Sequence, residues 1–104
     1  MAIKLIRQEN FAQEVIAEKK PVLLLIMPWD DQLSQQLKLL ENIAGRYNEE
    51  LKVAVLEKES IEAIKRSYGV LGTPTFLLLV EGKERGRMLG LANQEMLINL
   101  ISHL

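Results

Sequence analysis

The side chains that usually do chemistry are scarce in this chain. There is no cysteine. That excludes disulfides, thiolate metal sites, iron–sulfur clusters and every mechanism with a cysteine nucleophile. The single histidine, His103, lies next to the C-terminal residue. It reads as a solvated tail residue or a cation at a helix end, because no orienting partner stands near it in sequence. Asp30-Asp31 is the one adjacent acidic pair beside an aromatic, Trp29. Two neighbouring carboxylates could act as an acid/base pair or hold a hard cation. Adjacent side chains converge poorly, however, and aspartate is among the best helix caps, so capping is the simpler reading. Ser34 is the nearest hydroxyl and falls about one turn inside the helix that follows. Lys83, Arg85 and Arg87 alternate along one segment, with Lys65 and Arg66 not far before them. This reads first as a charged, aggregation-resistant strand edge and only second as a site for an anionic partner.

Those residues must be positioned by a single domain spanning residues 1–104. The composition is globular: 48% hydrophobic and 26% charged, with three prolines and six glycines. Thirteen basic against fourteen acidic residues give a net charge of −1, so the electrostatic footprint of a nucleic-acid binder is missing. The longest apolar run, Pro21 to Trp29, is nine residues, and a membrane-spanning helix needs about 20. No targeting segment is visible at the charged N-terminus, and the expectation is a cytoplasmic protein.

The apolar periodicity gives the element order. Ile3–Ile6 reads as a short edge strand. Asn10 is placed to cap a helix that carries Phe11, Val15 and Ile16 on one face and ends by Lys20, since Pro21 disfavours helix in the residue before it. Val22–Met27 is apolar without alternation, as in a strand buried on both faces. After Pro28-Trp29-Asp30-Asp31, Leu33, Leu37, Leu40, Ile43, Ala44 and Tyr47 recur at helical spacing. Leu51–Leu56 is a strand. Ser60 is the natural cap of a short helix carrying Ile61, Ile64 and Tyr68 and ending at Gly69. Thr75–Val80 and Glu84–Leu89 are strands joined by a tight turn at Glu81-Gly82-Lys83. Asn93 caps a last helix whose buried stripe is Met96, Leu97, Leu100, Ile101 and Leu104. The order β-α-β-α-β-α-β-β-α predicts an α/β fold: a mixed central sheet of four to five strands between four helices, in three layers.

This order resembles the thioredoxin family, and four local features carry the resemblance. They are Lys20-Pro21-Val22-Leu23 leading to Pro28-Trp29; Val53-Ala54-Val55-Leu56; Tyr68-Gly69-Val70-Leu71-Gly72-Thr73-Pro74-Thr75; and Gly82 with Gly90 eight residues later. The resemblance covers nearly the whole chain and implies the thioredoxin fold with a cis peptide before Pro74. It also implies a shallow groove formed by Trp29, Asp30, Thr73, Pro74, Gly90 and Leu91, in which the backbone of Thr73 meets an extended peptide. Leu91 is larger than the family's usual residue there. The departure lies at the redox centre. The family's Trp-Cys-Gly-Pro-Cys corresponds to Trp29-Asp30-Asp31-Gln32-Leu33, so Asp30 and Leu33 stand where the cysteines would be. The family's buried aspartate corresponds to Leu24, and the lysine paired with it to Val55. Sulfur, proton acceptor and partner charge are removed together, so no catalytic residue is assigned.

The leading expectation is therefore a redox-inactive module that binds a protein or peptide in the family's substrate groove, with no cofactor and no metal. It would be a monomer or weak homodimer and would not act on nucleic acid or membranes. Two other classes are weighed against it. One is a non-thiol enzyme or glutathione-like small-molecule binder at Asp30 or Asp31. The other is a structural subunit that dimerises, with Leu39 and Met88 as candidate exposed apolar positions.

Overall fold

The computed structural model describes residues 3–104. Five strands form one sheet in the order β1-β3-β2-β4-β5. They are β1 (Ile3–Ile6), β2 (Val22–Ile26), β3 (Lys52–Leu56), β4 (Thr75–Val80) and β5 (Lys83–Leu89). β1, β3 and β2 run parallel; β4 is antiparallel to β2 and to β5. The helices are α1 (Leu33–Tyr47), α2 (Ile61–Tyr68) and α3 (Gln94–Ile101), with a π-helical segment Ala12–Ile16.

The uninterrupted apolar run of β2 has the predicted cause. It sits at the centre of the sheet, and all five of its residues are fully buried. Its alternate side chains feed two cores. Leu23 and Leu25 pack with Leu40, Ile43, Phe76, Leu78 and Leu97 beneath α1 and α3. Leu24 and Ile26 pack with Phe11, Val15, Leu56, Ile64 and Leu77 beneath the π-helical segment and α2. This is the three-layer arrangement the sequence predicts. Among the described residues no helix is long and apolar enough to cross a membrane.

Several local expectations need correction. Asn10 does not cap a helix. It ends a 3-10 turn (Gln8–Asn10), and its side chain accepts from the Arg7 N–H at 2.7 Å and donates to the Leu5 carbonyl. The helix that follows is a short π-helical segment whose closing bond runs from Ala17 N–H to the Ala12 carbonyl. It stops before Lys20, whose N–H goes to the Glu18 carboxylate instead. Ile16, expected on its buried face, is exposed. Ser60 occupies the residue before α2 but is itself helical in backbone (φ −98°, ψ −2°), and its hydroxyl does not accept from the N–H groups that follow it, as a cap would. Buried, it donates to Glu57 and accepts from the Gln8 N–H, tying the chain after β3 to the chain after β1. Met96 in α3 and Leu104 beyond its end are exposed, because the buried arc is Leu97, Leu100 and Ile101. Leu39 and Met88 are half-buried against the core rather than free on the surface. Asn93 caps α3 as predicted, accepting from the Met96 N–H at 2.9 Å. The β4–β5 turn places Glu81 and Gly82 at φ +50° and +81°, the left-handed pair that a two-residue hairpin needs.

The π-helical segment is fastened to the sheet by charge. Lys52 Nζ lies 2.7 Å from Glu14 and 3.3 Å from Glu18, and it also donates to the Glu14 carbonyl. Lys4 approaches Glu14 from β1 at 3.7 Å. The hydrogen bond from Lys52 holds the Glu14 carboxyl below its usual value. The Lys20 N–H, joined by Lys52, does the same for Glu18. A carboxyl depressed in the folded state stabilises above its unfolded pKa, about 4.3, and loses that contribution as pH falls through the folded value. The urea midpoint should therefore drop as pH falls below about 4.3. Lys52→Met should make that drop shallower; an unchanged slope in the variant would remove this cluster as its source.

Candidate functional site

Three strand ends converge at one edge of the sheet. β2 pairs Ile26 with Thr75, and β4 pairs Thr75 with Leu89. The segment after β2 (Pro28, Trp29, Asp30), the segment before β4 (Thr73, Pro74) and the segment after β5 (Gly90, Leu91) therefore leave the sheet side by side. The Thr73–Pro74 peptide is cis. The Pro74 carbonyl accepts from the Gly90 N–H at 2.8 Å, extending the β4–β5 ladder by one bond. Gly90 has φ +105°, a conformation that disfavours any side chain, so the chain turns out of β5 there.

Trp29 is anchored at its edge and open on its face. Its Nε1 donates to the Leu56 carbonyl at 3.1 Å, and the residue is 49% exposed. Asp30 closes the turn that leads into α1. Its carboxylate accepts from the Gln32 N–H at 3.0 Å, and its carbonyl accepts from the Leu33 N–H at 3.1 Å. α1 begins at Leu33, with Gln32 at its cap position and no side-chain cap. The expected capping of the helix by Asp30-Asp31 is not made: the Asp30 carboxylate closes the turn ahead of α1 instead, and Asp31 is exposed. Neither forms an ion pair among the described residues. Ser34 is exposed in the first turn of α1. Among the described residues no three His, Asp or Glu side chains gather as a metal-ligand set.

Leu33 is the first residue of α1 and is buried. Leu24 and Val55 are buried too, but they do not face each other. The register sets Leu24 beside Ala54 and Leu25 beside Val55, so the two positions feed opposite cores.

Leu91 is 43% exposed. The wall it stands on is held by a residue that the sequence reading passed over, Gln36. Only 5% exposed, its Nε2 donates to the Ala92 carbonyl at 3.2 Å and its Oε1 accepts from the Ala92 N–H at 3.0 Å. The amide acts as one rung of a strand, pinning the chain after Leu91 to α1. The signal was present: Leu33, Gln36, Leu40 and Ile43 lie on one helical face, and Gln36 is the polar interruption in that stripe.

Leu71 and Leu89 were also missed. They are 97% and 68% exposed. With Gly69, Gly72, Thr75 and Arg87 they line a shallow hollow of about 220 Å³. A second hollow, about 270 Å³, is lined by Pro28, Trp29, Lys58, Ile61 and Glu62. The residues Thr73, Pro74, Gly90 and Leu91 line neither. Arg87, predicted as part of a solvated basic edge, has a structural task. It binds both oxygens of Glu84 at 2.7 Å and donates to the Tyr68 and Gly69 carbonyls, closing the C-terminal end of α2. That hydrogen bonding holds the Glu84 carboxyl below its usual value.

The thioredoxin family model matches residues 2–103. The chain belongs to the thioredoxin family. It is 31% identical over 103 residues to a thioredoxin of Chlamydia trachomatis serovar D, with 96% of each chain covered. It is 26% identical over 102 residues to a thioredoxin of Griffithsia pacifica, covering 97% of this chain and 94% of that one. It is 26% identical over 90 residues to a thioredoxin-like protein of Synechocystis sp., covering 86% of each. Against the family pattern, the structure sets Asp30 and Leu33 across the turn where the two cysteines would stand. Thiol–disulfide exchange requires a thiolate, and this member of the thioredoxin family contains no sulfur nucleophile.

Proposed function

We propose that this chain is a redox-inactive thioredoxin-family binding module that grips an extended segment of a partner protein across its three strand ends. The observation that carries this reading is the exposure of Trp29 and Leu91 beside Thr73 and Pro74 in a chain without cysteine. Half-exposed aromatic and aliphatic side chains on a rigid frame are the usual anchors of an interface. The frame here is rigid for stated reasons: the indole N–H, the Gly90–Pro74 bond and the Gln36 clamp each fix one wall.

The test compares the wild type with Trp29→Ala/Leu91→Ser in affinity capture from the source lysate, followed by titration of the captured partner. Both substituted side chains are partly exposed, so the variant should keep its circular dichroism spectrum. Loss of two anchors should weaken binding by about 10-fold or more. A partner held equally by both proteins would move the interface off the strand ends.

A further inference from the structure

The hollow between Leu71 and Leu89 has no structural reason to be apolar. Leu71 is held away from the body of the protein by its neighbours. Gly69 ends α2 in the left-handed conformation, Val70 is buried, and Thr75 donates to the Gly72 carbonyl at 2.7 Å. At 97% exposure the Leu71 side chain contributes little to folding, and a polar residue would serve that position equally well. Leu89 lies across Gly72, with its Cδ1 3.4 Å from where a Cβ at that glycine would stand. The one charged wall of the hollow, Arg87, is already matched by both oxygens of Glu84 and by two carbonyls. The hollow therefore offers apolar contact with no uncompensated charge. The hollow is about 220 Å³ and open to solvent, so an apolar side chain can enter it from the surface.

The unmatched charge lies at the other side of the same strand ends. Asp30 and Asp31 are exposed and form no ion pair among the described residues. From β2 across β4 to β5 is two strand spacings, on the order of 10 Å. An extended chain covers that in about three residues, and its side chains share a face at every second position.

We infer that this surface takes an extended partner segment carrying one leucine- or phenylalanine-sized side chain between Leu71 and Leu89 and, two or four residues away, a lysine or arginine over Asp30 and Asp31. The inference rests on the binding-module reading and specifies its ligand. The test is selection from a cysteine-free random peptide library displayed on phage, with the enriched peptides then measured by fluorescence polarisation. Enriched peptides should share an apolar residue and a basic residue at that spacing. Leu71→Ser/Leu89→Ser, both at exposed positions, should weaken them by about 10-fold or more. Asp30→Asn/Asp31→Asn should weaken them up to about 5-fold and flatten the salt dependence.

Peptides that need Trp29 and Leu91 but ignore Leu71 and Leu89, or that carry no basic residue, would overturn this inference and leave the binding module standing. Peptides indifferent to all four residues, or no enrichment at all, would overturn both. A concentration-dependent dimer in sedimentation, abolished by Leu71→Ser, would assign the hollow to a second copy of the chain and overturn the inference as well.

Discussion

Gln36→Ala should lower the stability of the fold by about 2–3 kcal/mol. The side chain, 5% exposed, bonds both backbone groups of Ala92, and removing it leaves a donor and an acceptor unpaired in a partly buried place. Each such buried orphan costs about 1–3 kcal/mol, with partial relaxation of the loop toward solvent reducing the sum. In urea, with a slope of about 1–3 kcal/mol per molar, the midpoint should fall by about 1 M or more with the slope unchanged. Gln36→Met separates the hydrogen bonds from packing, because it nearly conserves volume and has no amide. It should lose nearly as much as the alanine variant. A methionine variant within about 0.5 kcal/mol of wild type would show that α1 needs only a filled space at this position. The same substitutions free the chain after Leu91, so both should also weaken partner binding, although Gln36 lies beneath the surface.

The second large effect is a gain from zero. The wild type should not accelerate the reduction of insulin disulfides by dithiothreitol, since it has no thiol to carry the exchange. Asp30→Cys/Leu33→Cys should introduce a measurable rate. The Asp30 carbonyl and the Leu33 N–H close a β-turn at 3.1 Å. A closed turn keeps the two Cα atoms within about 7 Å, inside disulfide range. The first introduced thiol would sit just before α1, where the helix dipole favours a thiolate. The rate should nevertheless stay about 100-fold or more below that of a thioredoxin with its buried acid in place. Leu24 is a fully buried hydrocarbon, and general acid–base assistance is worth about 10²–10⁴ in rate. A variant as fast as such a thioredoxin would mean that the acid at this position is dispensable. A variant with no activity would mean that the turn no longer presents a redox geometry.

Elements defined by long apolar patterns were legible in the sequence. β2 declared its central place through five consecutive buried residues, and α1 through its stripe. The hairpin declared itself through Glu81-Gly82. What was not legible depended on partners distant in sequence. Ser60 reads as a cap until its hydroxyl is found bonded to Gln8 and Glu57, and Arg87 reads as a solvated cation until it is found closing α2. The candidate site divides in the same way. Trp29, Thr73, Pro74, Gly90 and Leu91 are named through the resemblance to the thioredoxin family, and the pairing of β2, β4 and β5 sets their segments side by side. Leu71 and Leu89 could not be weighed from sequence, because a leucine in a turn and one at a strand end give no sign of whether a helix will cover them. Leu24 and Val55 stand at the positions that correspond to the family's aspartate and lysine, and strand register, which sequence spacing does not report, sends them to opposite faces.

The position of β2 in the sheet also has a consequence during synthesis. Both strands that flank its Val-Leu-Leu-Leu-Ile run, β3 and β4, come later in the chain. At about 5–20 residues per second, the roughly 50 residues up to the end of β4 take about 3–10 s to appear. This fully apolar segment therefore keeps one flank open until β3 follows and the other for the whole interval. A chain built in this order gives any holding factor that recognises bare hydrocarbon several seconds in which to find it.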